Sequence, residues 1–529
     1  MAWRAVITGL FIGSLGAGVV LARTHLRGQP LSSSVTAAVI DAPAPVEPEG
    51  EETRLAAVGE VVGTAPDVTE TSEELAAPDG EVASEPPSPD RLSPDARLAA
   101  LGKQTVVYEE PNRRSRRLGY LRTGAVVNRA PVPKSTEGCP EGWYRVAPEG
   151  YVCVGRTATL DIEHPAVALA AAGPDRSSPM PYTYGKARGA PPPLYARLPT
   201  RAEQEQSEKD LASHLRRGID PLWTLEAVGG PPQQIAGGER VPRPFGYPVL
   251  PSGPLGGFGL SNGAFALIDL FEAEGRRWGI STDLMLIPLD RLDPVMASEF
   301  HGVPLGEGME LPVVFVRSSR AQLFRGHPKE GTLAPERPIH FREAFSLTGR
   351  QEQVGGVTFL ETQSGHWLRD SQLVRIDPLE TMPYWAKGER SWIDVSILNQ
   401  TLVAYRGTQP VYATLVTTGR DLLGDPKTTR ATVRGQFVIH TKHVTDTMSG
   451  DEPGDEFDLR DIPYVQYFHQ GYAFHAAFWH DVFGNPRSHG CINLAPHDAR
   501  WLFSWTDPPV PQNWHSAFDS RGTLVNIRP

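Results

Sequence analysis

The sequence predicts a mainly β chain, built from several units behind a disordered tether. Three observations carry this expectation. Apolar residues alternate with period two where strands are expected, as in "WIDVSI", whose Ile393 and Val395 share a face with Ile397 just beyond. Short aromatic strands such as "WYRV" and "GYVCV" face each other across a Gly-containing turn, "APEG". Residues 29–100 are rich in Pro, Ala, Glu and Ser, lack aromatics, and leave residues 101–529 as more chain than one domain holds.

The chain opens with Arg4 and an uncharged apolar run, residues 5–22, ending in the small-residue site "VLA". At about 1.5 Å per residue the run nearly spans a bilayer core. Residues 1–28 therefore predict export, through a signal peptide or a retained anchor. Arg4 on one side and Arg23 and Arg27 on the other leave orientation open. No cysteine lies near, which argues against a lipid-anchored lipoprotein. Residues 29–100 cannot bury enough apolar surface to offset their ordering entropy and read as a disordered linker. Their acidic excess accounts for much of the net charge of −11. No basic stripe suggests nucleic acid.

Only three cysteines occur in 529 residues. Cys139 and Cys153 bracket "PEGWYRVAPEGYV", close enough to bridge in an exported chain; two free buried thiols are the alternative. A bridge there stabilises by roughly 3 kcal/mol in the chain-entropy model. Cys491 is left odd, a liability in an oxidising compartment unless its thiol is used.

Its surroundings, "NPRSHGCINLAP", supply what thiol chemistry needs. Gly490 permits close backbone approach, so its amide and that of Cys491 can face a carbonyl oxygen. Ser488 can bond the turn, and His489 adjoins it. His475, in the half-buried strand pattern "GYAFHAAFW", is a candidate base, or a core histidine with a satisfied ring. A Cys–His pair predicts a thiol pKa lowered by the imidazolium, with thiolate at neutral pH.

Two blocks in order resemble the L,D-transpeptidase catalytic domain of bacterial cell-wall enzymes: His475 at a strand end, then Ser488, His489, Gly490, Cys491, Ile492 and Asn493. The opening "WIDVSILNQTLVAYRGTQPVYATLVTTG" resembles that family's first hairpin. Thr432 to Phe437 resembles its T-P-x-G-x-F step, without the proline, and alanine follows His475 where glycine is common.

The resemblance implies a C-terminal β-sandwich with short helices over residues 388–529. "PHDARWLFSW" reads as one helix burying Ala499, Leu502 and Phe503. The resemblance further implies Cys491 as nucleophile, His475 as general base, an oxyanion hole from the Gly490 and Cys491 amides, and a pocket shaped by Ser488 and His489. Tyr472, Trp479 and Asn493 are expected at the substrate. The implied reaction is acyl transfer from a peptidoglycan stem tetrapeptide, through a thioester, to an acceptor amine or water. No cofactor or metal is implied, and the implied location is the periplasm or cell envelope.

Residues 101–160 and 312–378 resemble bacterial Src-homology-three-type barrels, and 180–300 a divergent third, interrupted by a charged helical stretch near 203–217. Such modules bind wall peptides or act as spacers. Three rivals are weighed. A metal site from His475, His480, His489 and Cys491 fits no common zinc spacing. Wall cysteine endopeptidases place Cys before His. A purely wall-binding protein has no need of the catalytic block.

Overall fold

The structure is a computed structural model and describes residues 88–225, 227–306 and 308–529. The expected signal or anchor and residues 29–87 of the expected linker lie outside the described residues. The described chain is mainly β with few short helices.

The C-terminal region is built from two sheets over one core. Strands Ser391–Ser396, Thr401–Arg406 and Gln409–Leu415 run antiparallel, and Leu524–Arg528 returns parallel to the first. The second layer holds Thr441–Gly450, Phe457–His469, Tyr472–Ala476 and Ile492–Leu494. Alternation decides the facing: Ile393, Val395, Leu402, Val444, Phe468, Phe474, Ile492 and Leu494 share one hydrophobic cluster. The helix Pro496–Trp505 packs onto it through Ala499, Leu502 and Phe503, as the spacing predicts. Burying one such large apolar side chain contributes roughly 1.5–3 kcal/mol.

The other units are fused to this core rather than strung beside it. Arg117–Leu121 pairs with Ser516–Phe518, and Ala264 pairs with Leu459, so a single sixteen-stranded sheet passes through residues of three expected domains. Val107, Leu118, Leu121 and Val152 of the first unit belong to the same cluster as the core of the C-terminal region. Residues 313–376 form a separate seven-stranded sheet.

Three local differences from the sequence expectation have physical causes. Residues 93–100, assigned to the linker, form strand Ser93–Ala100, because Leu98, Ala99 and Ala100 are apolar and find a buried place beside Val126–Arg129. Val303–Pro304, outside the expected 388–529, adds an edge strand to Gln409–Leu415. The charged helical stretch is two helices, Arg201–Ser207 and Leu211–Arg217, broken where Glu208 turns inward to meet Arg276 and Arg291. Cys139 and Cys153 are disulfide-bonded, with Cα atoms 5.9 Å apart.

Candidate active site

Strand register brings the two sequence blocks together. Tyr472–Ala476 and Ile492–Leu494 run parallel, with Phe474 opposite Ile492 and His475 opposite Asn493. Phe474, Ile492 and Leu494 turn into the core, so His475, Asn493 and Cys491 turn to the opposite face. Cys491 is the free cysteine. Its Sγ lies 3.6 Å from the Gly471 carbonyl, and the Ala473 backbone amide interacts with it.

His475 is buried, and its Nδ1 lies 3.0 Å from the Ala476 carbonyl. A carbonyl only accepts, so Nδ1 carries the proton and Nε2 is left as the basic nitrogen. Trp479 stacks on the ring at 5.7 Å between centroids.

The electrostatics differ from the expected ion pair. Burial pushes the Cys491 thiol up to about 11 and the His475 imidazolium down to about 4. The apolar residues Ala473, Phe478, Val295 and Tyr184, clustered with Cys491, disfavour the thiolate. Both shifts run toward the uncharged forms, thiol and imidazole.

The turn before Cys491 is tied twice by Ser488. Its Oγ donates to the Cys491 carbonyl at 2.5 Å and accepts the Gly490 amide at 3.1 Å. The Gly490 N–H is therefore engaged, and of the two expected oxyanion donors the Cys491 amide is the one not spent on Ser488. Gly490 itself is required: its φ is +126°, and a Cβ there would lie 2.8 Å from the Tyr472 ring. Thr432 supports the turn from below, donating to the Gly490 carbonyl at 2.8 Å and accepting the Gly419 amide.

The remaining expected residues take varied places. Tyr472 is half-buried, with its hydroxyl 3.3 Å from the Pro426 carbonyl. Trp479 is half-buried beside His475. Asn493 is only 3 % exposed and contacts His480 Nε2 at 3.0 Å, so it holds a neighbouring histidine instead of facing open space. His489 is exposed; its Nε2 meets Asp455 at 3.0 Å and its ring lies 5.3 Å from Phe457. The histidines of the rival metal site thus point to different partners. Asp455 and Phe457 carry no motif signal in the sequence. Thr432 does, because it opens the T-V-R-G-Q-F step.

The fold and this face define a β-sandwich domain that carries a free thiol and a buried imidazole on adjacent strand segments. Residues 390–527 match the YkuD family model, described as an L,D-transpeptidase catalytic domain. Among solved structures, the chain is similar to an L,D-transpeptidase of Enterococcus faecium at 23% identity, TM-score 0.21, over 26% of this chain and 50% of that one. It is similar to an L,D-transpeptidase of Xylanimonas cellulosilytica at 21% identity, TM-score 0.21, over 28% and 65%. An L,D-transpeptidase of Mycobacterium smegmatis is matched at 15% identity, TM-score 0.21, over 44% and 93%. The chain thus spans half of the first of these and under two thirds of the second. No curated protein matches it.

Proposed function

We propose that this protein is an exported, cysteine-dependent L,D-transpeptidase of the cell envelope, acting on peptidoglycan stem peptides. The observation that supports it most is Cys491 and His475 on one sheet face, within the region that carries the family match.

In this reading the thiol attacks the amide preceding the terminal D-alanine of a stem tetrapeptide. Neutral His475 takes the thiol proton as the C–S bond forms, and passes it to the D-alanine nitrogen as the C–N bond breaks. The Cys491 amide faces the developing oxyanion. The Gly490 amide joins it only by giving up Ser488. An acceptor amine then attacks the thioester, its proton returns through His475, and the thiol is regenerated. A desolvated, neutral pair fits this course, because proton transfer accompanies attack and no buried charge persists beforehand. Tyr472 and Trp479 flank the thiol and base, where a stem peptide would lie.

The test is D-alanine release and cross-link formation from tetrapeptide stems, by the parent protein and by Cys491→Ala. Release with cross-linking, lost in the variant, supports the reading. Release without any cross-link indicates a carboxypeptidase using the same thiol. Stem binding without release, unchanged in Cys491→Ala, indicates a wall-binding protein.

A further inference from the structure

The segment 478–483 joins the strand of His475 to the turn of Cys491. It carries Trp479, stacked on His475, and His480, in contact with Asn493. Phe483 anchors the segment among Leu415, Ala477 and Ala495 of the C-terminal region, and a second hold comes from outside that region. Arg342, in a turn of the seven-stranded unit, donates from one terminal nitrogen to the Asp481 carboxylate at 2.6 Å and from the other to the Asp481 backbone carbonyl at 2.7 Å. The fork therefore fixes the main chain of the segment as well as a side chain. Ser298 donates to the same carboxylate at 2.7 Å. The Arg342 side chain is 6 % exposed, and its guanidinium lies over the rings of Phe300, Phe341 and Phe483, at 4.8, 4.7 and 5.6 Å. From the opposite side Tyr184, of the second unit, packs on Phe478 at 4.7 Å.

We propose that Arg342 is a positioning residue for the active site: from a non-catalytic unit it clamps Asp481 and so sets Trp479 and His480 against His475 and Asn493. This rests on the transpeptidase reading for its kinetic consequence, but not for the clamp itself. The 313–376 unit is then neither a spacer nor solely a wall-binding module, since a catalytic-site segment depends on it. Arg342 serves because only a planar fork with two outward donors reaches both oxygens of Asp481 at once. A lysine there supplies one.

The experiment uses the full chain and compares Arg342→Ala, Arg342→Lys and Asp481→Asn with the parent. Arg350→Ala is the control, since Arg350 is exposed on the same unit and pairs with Glu361. Hydrogen exchange of residues 478–484 reads the clamp directly. In Arg342→Ala it is expected to quicken about tenfold while exchange in Tyr472–Ala476 stays put. The rate of D-alanine release is expected to fall about tenfold in kcat with a smaller change in KM, as a misplaced catalytic group gives. Arg342→Lys should fall between, Asp481→Asn should be mildest because the backbone carbonyl is still held, and Arg350→Ala should match the parent. Parent-like exchange and kcat in Arg342→Ala overturn the proposal. If that variant fails to fold, Arg342→Lys and Asp481→Asn decide by the same ordering, and parent-like values in both overturn it. If the parent releases no D-alanine, the transpeptidase reading fails, while exchange at 478–484 still judges the clamp.

Discussion

Ser488 and Cys491 are joined by a 2.5 Å hydrogen bond from the serine hydroxyl to the cysteine's own carbonyl. The same hydroxyl accepts the Gly490 amide. One side chain thus closes the turn that presents the thiol and takes up an amide that would otherwise be free for an oxyanion. Ser488 is itself buried, so no water replaces it readily.

Ser488→Ala is expected to leave the buried Gly490 amide unpaired, at a cost of about 1–3 kcal/mol. Thermal unfolding should fall accordingly, and D-alanine release should drop with it. Ser488→Thr keeps the hydroxyl and should recover much of both. Unfolding midpoints and initial rates for the two variants check this.

The pH behaviour follows from burial. Because the Cys491 thiol is pushed up to about 11, iodoacetamide should label it faster with each step in pH toward that value, with no plateau at neutrality. Because His475 is pushed down to about 4, it stays an available base through the neutral range, and turnover should fail only as pH drops toward 4. His475→Ala should abolish turnover at pH 7 yet leave alkaline labelling nearly intact. A neutral-pH labelling plateau, lost in His475→Ala, would instead reveal the thiolate–imidazolium pair. The thiol also bears on stability. Its folded pKa is raised, so its contribution is complete below the unfolded value near 9 and is lost as pH climbs through about 11.

Asp461 ties three units together. Its carboxylate pairs with Arg122 of the first unit and accepts hydroxyl hydrogen bonds from Thr282 of the second and Thr445 of its own. Tyr184 donates to its backbone carbonyl at 2.6 Å. Arg122 and the hydroxyls hold the carboxyl well below the usual range against the desolvation that opposes them. The sign follows: this stabilisation is present above the unfolded value near 3.8 and is lost as pH falls below it. Asp461→Ala strands Arg122 and is expected to cost about 3–5 kcal/mol. Urea unfolding should show it, with the 101–160 unit loosening from the catalytic core.

Thiol labelling of the native protein should find Cys491 and neither Cys139 nor Cys153, by peptide mapping. Replacing both bridged cysteines with serine is expected to cost roughly 3 kcal/mol for a loop of this size. Labelling at Cys139 without reductant would remove the bridge from the account.

Much of the catalytic region was legible because its signals are local. Alternation in "WIDVSI" named the buried face of the first strand, and spacing in "PHDARWLFSW" named the helix face that packs. The order of His475 and the Ser488–Asn493 block pointed to the region that the family model matches, since chemistry constrains residue types along a short stretch. The Cys139–Cys153 bridge was legible as one of two options from spacing and compartment alone. The motif position of Asn493 is visible in the sequence, whereas its burial against His480 is not.

By itself, then, the sequence determined where strands alternate, which helix face is apolar, and which thiol lacks a partner. Only the tertiary structure decided that the Gly490 amide is taken by Ser488, that burial shifts Cys491 and His475 toward their uncharged forms, and that strand Ser93–Ala100 belongs to the core. It alone brought Tyr120 beside Ser516, Ala264 beside Leu459 and Arg342 onto Asp481. The physical reason is range. Propensity and periodicity act over a few residues, whereas desolvation and sheet-edge pairing depend on groups distant in the chain, which no local pattern brings together.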